Sequence, residues 1–178
     1  MKKNIVKIVV GVIVIILLLL LISRTRSEER PFNEVQLSGN NFIHNETFPT
    51  YYDTVLSVAM DQMGLTGHNV IVKELSDGAR GQFDGELKAH IRQVGPDFYL
   101  FTQEMDRKES IEVLSHEVIH MQQYSSGDLY YVDGNVTWKG EVLELNSKEY
   151  EQRPWENDAF SRQSQLINLV EDVLWDNK

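Results

Sequence analysis

The pentapeptide His116-Glu117-Val118-Ile119-His120 has the spacing H-E-x-x-H, which is typical of the zinc-binding helix of metallopeptidases. Residues four positions apart share one face of an α-helix, so the two imidazoles can bind one Zn²⁺ from the same side. Glu117 follows the first histidine and is placed to take a proton from water at the metal. The pattern predicts His116 and His120 as ligands and Glu117 as the catalytic base. The alternative is a chance match on a polar helix.

The residues around the pentapeptide predict a helix over residues 107–124. Asp106 followed by Glu109 resembles a capping box, with Asp106 as the N-cap. Apolar residues then recur at helical spacing: Ile111, Leu114, Val118 and Met121. The two histidines fall roughly on the opposite side of this helix. The context therefore favours an amphipathic helix that packs on one face and carries a site on the other.

The composition restricts the possible chemistry of the chain. A net charge of −10 argues against nucleic acids and anionic membrane surfaces as partners. The chain has no cysteine, so disulfides and thiolate-zinc sites are excluded. A length of 178 residues suits one modest domain with an appendage. A zinc site in this chain has to be built from histidine and carboxylate ligands.

An unbroken apolar run covers residues 8–22 and is extended at its start by Ile5, Val6 and Lys7. The run predicts an uncleaved membrane anchor over residues 1–23, with membrane contact through residues 5–22. A cleavable signal peptide is the rival interpretation, but no small-residue cleavage pattern follows the run. The short basic N-terminus predicts that the domain lies on the extracytoplasmic side. Residues 24–48 are expected to be a polar stalk, with a possible strand near residues 35–37.

Residues 49–178 are expected to form the folded domain. A helix over residues 50–63 is followed by strands over residues 69–75, 86–94 and 97–102. The strand with Lys88, His90 and Arg92 alternates and suits an edge, whereas residues 98–101 are apolar and suit the centre of the sheet. His90 is expected to be a solvated strand residue and not a ligand. This edge is predicted to bind an extended peptide substrate by strand addition.

A hairpin over residues 129–138, which residues 141–145 extend, precedes a last helix that begins at Pro154. Six residues of that helix form one stripe: Glu156, Phe160, Gln163, Ile167, Val170 and Leu174. A carboxylate in an apolar stripe is costly unless it is paired, so Glu156 is predicted as the third metal ligand. The alternative is a surface glutamate at a helix N-terminus. Competing ligands are Glu141, Glu144, Glu149, Glu151 and Asp158.

The pentapeptide and the segment 150–156 together resemble the gluzincin metallopeptidases. Glu156 ends that segment and lies 36 residues after His120. The order of elements is similar to that of the minigluzincins. The resemblance implies Zn²⁺ held by His116, His120 and Glu156, with Glu117 as general base. It also implies an oxyanion partner, for which Tyr124, Tyr150 and Arg153 are the candidates. Larger gluzincins often carry a supporting carboxylate four residues after the ligand glutamate; this chain has Phe160 there, with Asp158 nearer.

The predicted fold class is α+β: an N-terminal transmembrane helix followed by a small zincin-like domain. That domain would contain a backing helix, a short mixed sheet, the zinc helix, a hairpin and the glutamate helix. The predicted function is a membrane-anchored zinc metallopeptidase that hydrolyses peptide bonds. A degenerate zinc-binding zincin domain that tethers a partner at the membrane is the alternative, and a purely structural membrane-tethered module is a third. The intact Glu117 favours the enzyme, because a non-catalytic site has no chemical need for that carboxylate.

Overall fold

The computed structural model describes residues 40–76, 87–132, 135–143 and 152–175. Within these residues the fold is α+β, with three helices and two sheets. The helices are α1 (Tyr51–Gln62), α2 (Arg107–Ser125) and α3 (Pro154–Trp175). The strands are β1 (Phe42–His44), β2 (Asn69–Glu74), β3 (Ala89–Val94), β4 (Asp97–Thr102), β5 (Leu129–Val132), β6 (Asn135–Trp138) and β7 (Glu141–Leu143).

The larger sheet has the strand order β1-β2-β4-β3. Strand β2 runs parallel to β1 and β4, whereas β3 is antiparallel to β4. The edge position predicted for β3 and the internal position predicted for β4 are both confirmed. Strand β1 lies inside the segment that the sequence predicts as a stalk, and its three residues are too few to carry a periodic signal. Strands β5, β6 and β7 form a separate antiparallel meander.

Helix α2 is the central element, since it contacts α1, α3, β3 and β5. The predicted N-cap is confirmed, because the Asp106 carboxylate accepts a hydrogen bond from the Glu109 amide at 2.8 Å. The sequence predicts that only one face of α2 packs in the protein, but two faces are buried. Ile111, Leu114 and Val118 enter the core, and the histidine face is also buried, because α3 covers it. The three residues predicted as metal ligands therefore lie inside the protein, between α2 and α3.

Helix α3 buries a face slightly different from the predicted stripe. Glu156, Val170 and Leu174 are buried as predicted, together with three residues outside the stripe: Trp155, Ala159 and Leu166. Phe160 is instead 47% exposed, and its ring lies 4.7 Å from that of His116. The inward face is therefore rotated towards Trp155 and Ala159. Phe160 covers the margin of the site and is not part of the core.

The predicted fold class was wrong in its first element, the transmembrane helix. Helices α2 and α3, with 19 and 22 residues, are long enough to be considered, but both carry charged residues along their length. No helix among the described residues is both long and apolar enough to cross a membrane. Residues 1–39, on which the predictions of an anchor, an extracytoplasmic location and a strand at 35–37 fall, lie outside the described residues. The competing ligands Glu144, Glu149 and Glu151 lie outside them as well.

Tyr52 of α1 fixes the chain segment that enters α2. Its hydroxyl donates to the Gln103 carbonyl at 2.9 Å and accepts from the Met105 amide at 2.8 Å. The neighbouring Tyr51 hydroxyl donates to the Met105 carbonyl. The Tyr52 side chain is fully buried, so water cannot replace these bonds. These hydrogen bonds from α1 therefore fix the position of the N-terminus of α2, the helix that carries the two histidines.

We expect Tyr52→Phe to lower the free energy of unfolding by about 1–3 kcal/mol, because it leaves a buried amide and a carbonyl without their shared partner. Urea denaturation followed by circular dichroism measures this change. Tyr130→Phe is the matched control, since Tyr130 is exposed on β5 and the same chemical deletion should change stability by less than about 0.5 kcal/mol. Equal effects of the two substitutions would contradict the role given to Tyr52.

Candidate metal centre

Three side chains from two helices converge on one point. His116 Nε2 and His120 Nε2 lie 3.1 Å apart, and each lies 3.2 Å from Glu156 Oε2. All three residues are buried. The histidines reach the point because they lie one helical turn apart on α2, and Glu156 reaches it from the first turn of α3. The structure thus brings together the three residues that the sequence singles out as ligands.

The size of this triangle fits a zinc ion. Ligand atoms in a tetrahedron around Zn²⁺, at bond lengths of about 2.0–2.1 Å, are separated by about 3.3 Å. The three separations here are 3.1–3.2 Å. Three protein ligands leave the fourth position of a tetrahedron open, which is the arrangement of catalytic zinc sites. Two imidazole nitrogens and one carboxylate oxygen are also a donor set that zinc favours.

The hydrogen bonds around the histidines fix which nitrogens carry protons. His120 Nδ1 lies 2.8 Å from Gln123 Oε1, and His116 Nδ1 lies 3.3 Å from Gln163 Oε1. The hydrogen bonds of the two Nε2 atoms define the orientation of each amide. Gln123 Nε2 donates to the Trp155 carbonyl, and Gln163 Nε2 donates to the Glu112 carbonyl. Both Nδ1 atoms therefore donate. In the neutral imidazoles the Nε2 lone pairs then face each other and the carboxylate, an arrangement that a cation stabilises.

The ionisation of the site follows from the same geometry. Burial opposes the charge on Glu156, but hydrogen bonds from His116 and His120 outweigh burial and lower the pKa of Glu156 to about 2. Burial likewise opposes the protonation of His120, but the bond to Glu156 and its charge raise the pKa of His120 to about 9. Glu156 is therefore ionised at neutral pH and able to act as a ligand.

Glu117 projects from the same helix turn into the same buried space. Its side chain is 4% exposed, and its Oε2 atom has no hydrogen-bond partner among the described residues. Burial raises the pKa of Glu117 above its ordinary value, although His120, His116 and the Ile91 backbone act in the opposite direction. A buried carboxylate oxygen without a partner lowers the stability of the fold, which makes Glu117 a candidate for a functional residue.

The open edge of β3 borders Glu117. Gly95 and Pro96 form a two-residue turn between the paired residues Val94 and Asp97, and the Gln103 amide donates to the Lys88 carbonyl at 3.2 Å. Hydrogen-bonded pairs alternate in an antiparallel ladder, so three residues of β3 direct their backbone groups away from β4: Ala89, Ile91 and Gln93. The backbone bond between Ile91 and Glu117 agrees with this register. No strand among the described residues pairs with that side of β3.

The side chains predicted to line the edge strand have other partners. Lys88 forms an ion pair with Glu109 at the start of α2. His90 stacks on Phe101 with ring centroids 4.8 Å apart, and Arg92 lies 6.0 Å from the same ring. Burial, with a smaller contribution from Arg92, lowers the pKa of His90 to about 4. The backbone of this strand, and not these three side chains, reaches the metal centre.

Two of the oxyanion candidates fall among the described residues, and Tyr150 lies outside them. Arg153 lies beside the Trp155 ring, 6.0 Å from its centroid. Tyr124 is buried, and its hydroxyl is hydrogen-bonded to that of Tyr131. Tyr131 is 50% exposed, and burial together with the nearby charge of Glu156 raises its pKa.

The sequence does not predict the contacts of four residues near the site. Gln123 and Gln163 support the histidines, Asp158 accepts from Gln123 Nε2 at 2.9 Å, and Tyr131 is hydrogen-bonded to Tyr124. Asp158, weighed above as a ligand, is thus a partner of an amide and of Arg162. The spacing of Gln123, three residues after His120 on the same helix, is the one signal that could have identified it.

Comparison with known proteins adds no family to this geometry: no protein-family model, no curated protein and no solved structure matches the chain.

Replacing the third ligand tests the triangle. We expect Glu156→Ala to lose zinc during mild chelation that leaves about one zinc per chain in the parent, because a site with two imidazoles alone binds zinc weakly. Glu141→Ala is the matched control, since Glu141 is an exposed carboxylate on β7. Metal analysis by mass spectrometry gives the stoichiometry. Zinc retained by Glu156→Ala and lost from the control would show that the third ligand is misassigned.

The affinity for zinc should depend on pH, because the metal and a proton compete for His120 Nε2. The raised pKa of His120, about 9, means that the metal-free protein holds this proton at neutral pH. We expect the apparent Kd to fall about tenfold per unit of rising pH between about pH 6 and pH 8, and to level off above the pKa. Calorimetry in two buffers of different ionisation enthalpy should count about one proton released per zinc. A Kd independent of pH, without proton release, would contradict the ionisation described.

Proposed function

We propose that this chain is a zinc-dependent metallopeptidase of the gluzincin type, which hydrolyses peptide bonds in peptide or protein substrates. His116, His120 and Glu156 hold the zinc, and Glu117 is the general base. The observation that carries the proposal is the convergence of three metal-ligand atoms at 3.1–3.2 Å beside a buried carboxylate that has an unpartnered oxygen.

When bound, zinc would polarise the scissile carbonyl as a Lewis acid and would lower the pKa of an attacking water molecule. Glu117 Oε2 would accept a proton from the attacking water and would then donate it to the leaving amine. Burial raises the pKa of Glu117, which makes its carboxylate a stronger base than that of an ordinary glutamate. The buried surroundings of Glu117 keep bulk water away from this transfer.

The peptide is expected to bind along the open edge of β3. The backbone groups of Ala89 and Gln93 face that edge, and an extended peptide can pair with them as an added strand. The Ile91 amide between them already donates to Glu117, so a peptide paired along this edge would lie beside Glu117. Recognition through the backbone gives affinity with little choice of side chains.

Tyr131 is the proposed donor to the oxyanion. It is half-exposed and lies close enough to Glu156 for that charge to raise its pKa. A hydroxyl that donates to the developing negative oxygen stabilises the transition state more than the ground state. This assignment takes the place of Tyr124 among the candidates that the sequence suggests, because Tyr124 is buried and Tyr131 is accessible to a substrate.

Glu117→Gln separates the chemistry from the metal. The amide keeps the size of the side chain and loses the base, so zinc should stay at about one per chain while peptide hydrolysis falls by at least about 10²-fold. Cleavage of a peptide library, with zinc content measured on the same samples, provides the test. The stability of the variant should not decrease, because a buried charge is removed. Cleavage at the parental rate would place the activity elsewhere, and a parent that binds zinc without cleaving any peptide would favour a binding module.

Gln93→Pro tests strand addition. Proline removes the amide at a position that faces the open edge and leaves the ladder with β4 intact. We expect KM for a peptide substrate to rise about two- to tenfold, which corresponds to the roughly 0.5–1.5 kcal/mol of one hydrogen bond, while zinc binding stays unchanged. Gln93→Ala is the control for the lost side chain. Equal KM values for the two variants would exclude this edge as the substrate strand.

A further inference from the structure

The side-chain amide of Gln123 connects the two helices that carry the metal ligands. Its Oε1 accepts from His120 Nδ1 at 2.8 Å. Its Nε2 donates to the Trp155 carbonyl at 3.0 Å and to Asp158 Oδ2 at 2.9 Å. Trp155 immediately precedes Glu156 in the chain. One amide thus contacts a ligand on α2 and the backbone next to a ligand on α3.

Burial makes these bonds hard to replace. Gln123 is 1% exposed, so water has no access to take over the role of its amide. The two acceptors at Nε2 permit only one orientation of the amide, and that orientation presents oxygen to His120. His120 must then carry a proton on Nδ1, so Nε2, which faces Glu156, is the nitrogen that can give up a proton and bind a metal.

We propose that Gln123 is a positioning residue for the metal centre: it fixes the tautomer and ring orientation of His120 and sets the distance between His120 and Glu156. The proposal rests on the metal site of the proposed function. It goes further in assigning the alignment of two ligands, 36 residues apart in sequence, to a single neutral side chain.

The counterpart at His116 is weaker. Gln163 of α3 also joins the two helices, through His116 Nδ1 and the Glu112 carbonyl of α2. It is only partly buried, however, and its bond to His116 Nδ1 is 3.3 Å long, whereas Gln123 is buried and lies 2.8 Å from His120 Nδ1. The loss of Gln123 should affect metal binding more strongly than the loss of Gln163.

The charged groups of this network, Asp158 and Arg162, are joined to His120 only through the neutral amide of Gln123. Asp158 Oδ2 accepts from Gln123 and also from Arg162 Nη1 at 3.0 Å, and Arg162 Nη2 donates to Gln122 Oε1 at 3.1 Å. The carboxylate is paired with a cation, and a neutral amide separates it from His120. His120 therefore has a less basic support than a direct carboxylate would provide, which leaves more positive charge on the metal to polarise a substrate.

Gln123→Met is the principal test, because methionine has a similar length but cannot form the three hydrogen bonds. We expect the Kd for zinc, measured by competition with a chromophoric chelator, to rise about 10–100-fold. The absorption bands of bound Co²⁺ should also shift, because His120 can turn. Gln165→Met is the control: it makes the same change at an exposed glutamine of α3, and its zinc Kd should stay within about threefold of the parent.

The outcomes distinguish a failure of the metal site from a failure of the role proposed for Gln123. A parent that binds no zinc overturns the metal site and this inference together. A parent that binds zinc, with Gln123→Met binding it equally well and giving the same Co²⁺ spectrum, overturns the inference alone. If Gln123→Met does not fold, Asp158→Ala decides, because it removes one of the two acceptors that orient Gln123: a raised zinc Kd supports the role, and an unchanged Kd refutes it.

Discussion

The structure depends on one electrostatic constraint: two imidazole lone pairs and a carboxylate oxygen meet inside the protein at 3.1–3.2 Å. Three electron-rich atoms at this distance repel one another unless positive charge lies between them. A proton shared with Glu156 supplies part of that charge, and this accounts for the raised pKa of His120. A divalent cation supplies it more completely and uses all three atoms. The packing of α3 against α2, the capped start of α2 and the amide of Gln123 all serve to hold these atoms in place.

The site also contains buried groups that lower the stability of the fold. Glu117 has a buried oxygen without a partner among the described residues, and Glu156 is an ionised carboxylate buried between α2 and α3. Groups of this kind lower stability when no ligand is bound. Apolar residues of α2 that pack in the core, such as Leu114 and Val118 at zero exposure, offset this cost. Core packing and the candidate site thus lie on different faces of one helix.

The ligands could be predicted because they follow local rules. Helical spacing places His116 and His120 together, and the position of Pro154 with the stripe of α3 identifies Glu156. The alternation in β3 and the apolar run in β4 also gave correct sheet positions, since burial on one or both faces of a strand leaves a direct mark on the sequence. The signals that succeeded are those in which one element determines the pattern.

The features that the sequence missed depend on contacts between distant residues. Phe160 continues the period of α3 yet lies outside the core, because the orientation of the helix is set by packing against α1 and α2. The roles of Gln123 and Gln163 cannot be recognised from the sequence, because they depend on contacts between α2 and α3.

The most direct test of the metal site is zinc K-edge X-ray absorption on the purified protein. We predict about four light-atom neighbours at about 2.0–2.1 Å, two of them imidazoles. A shell of six oxygens, or no bound zinc, would contradict the central claim.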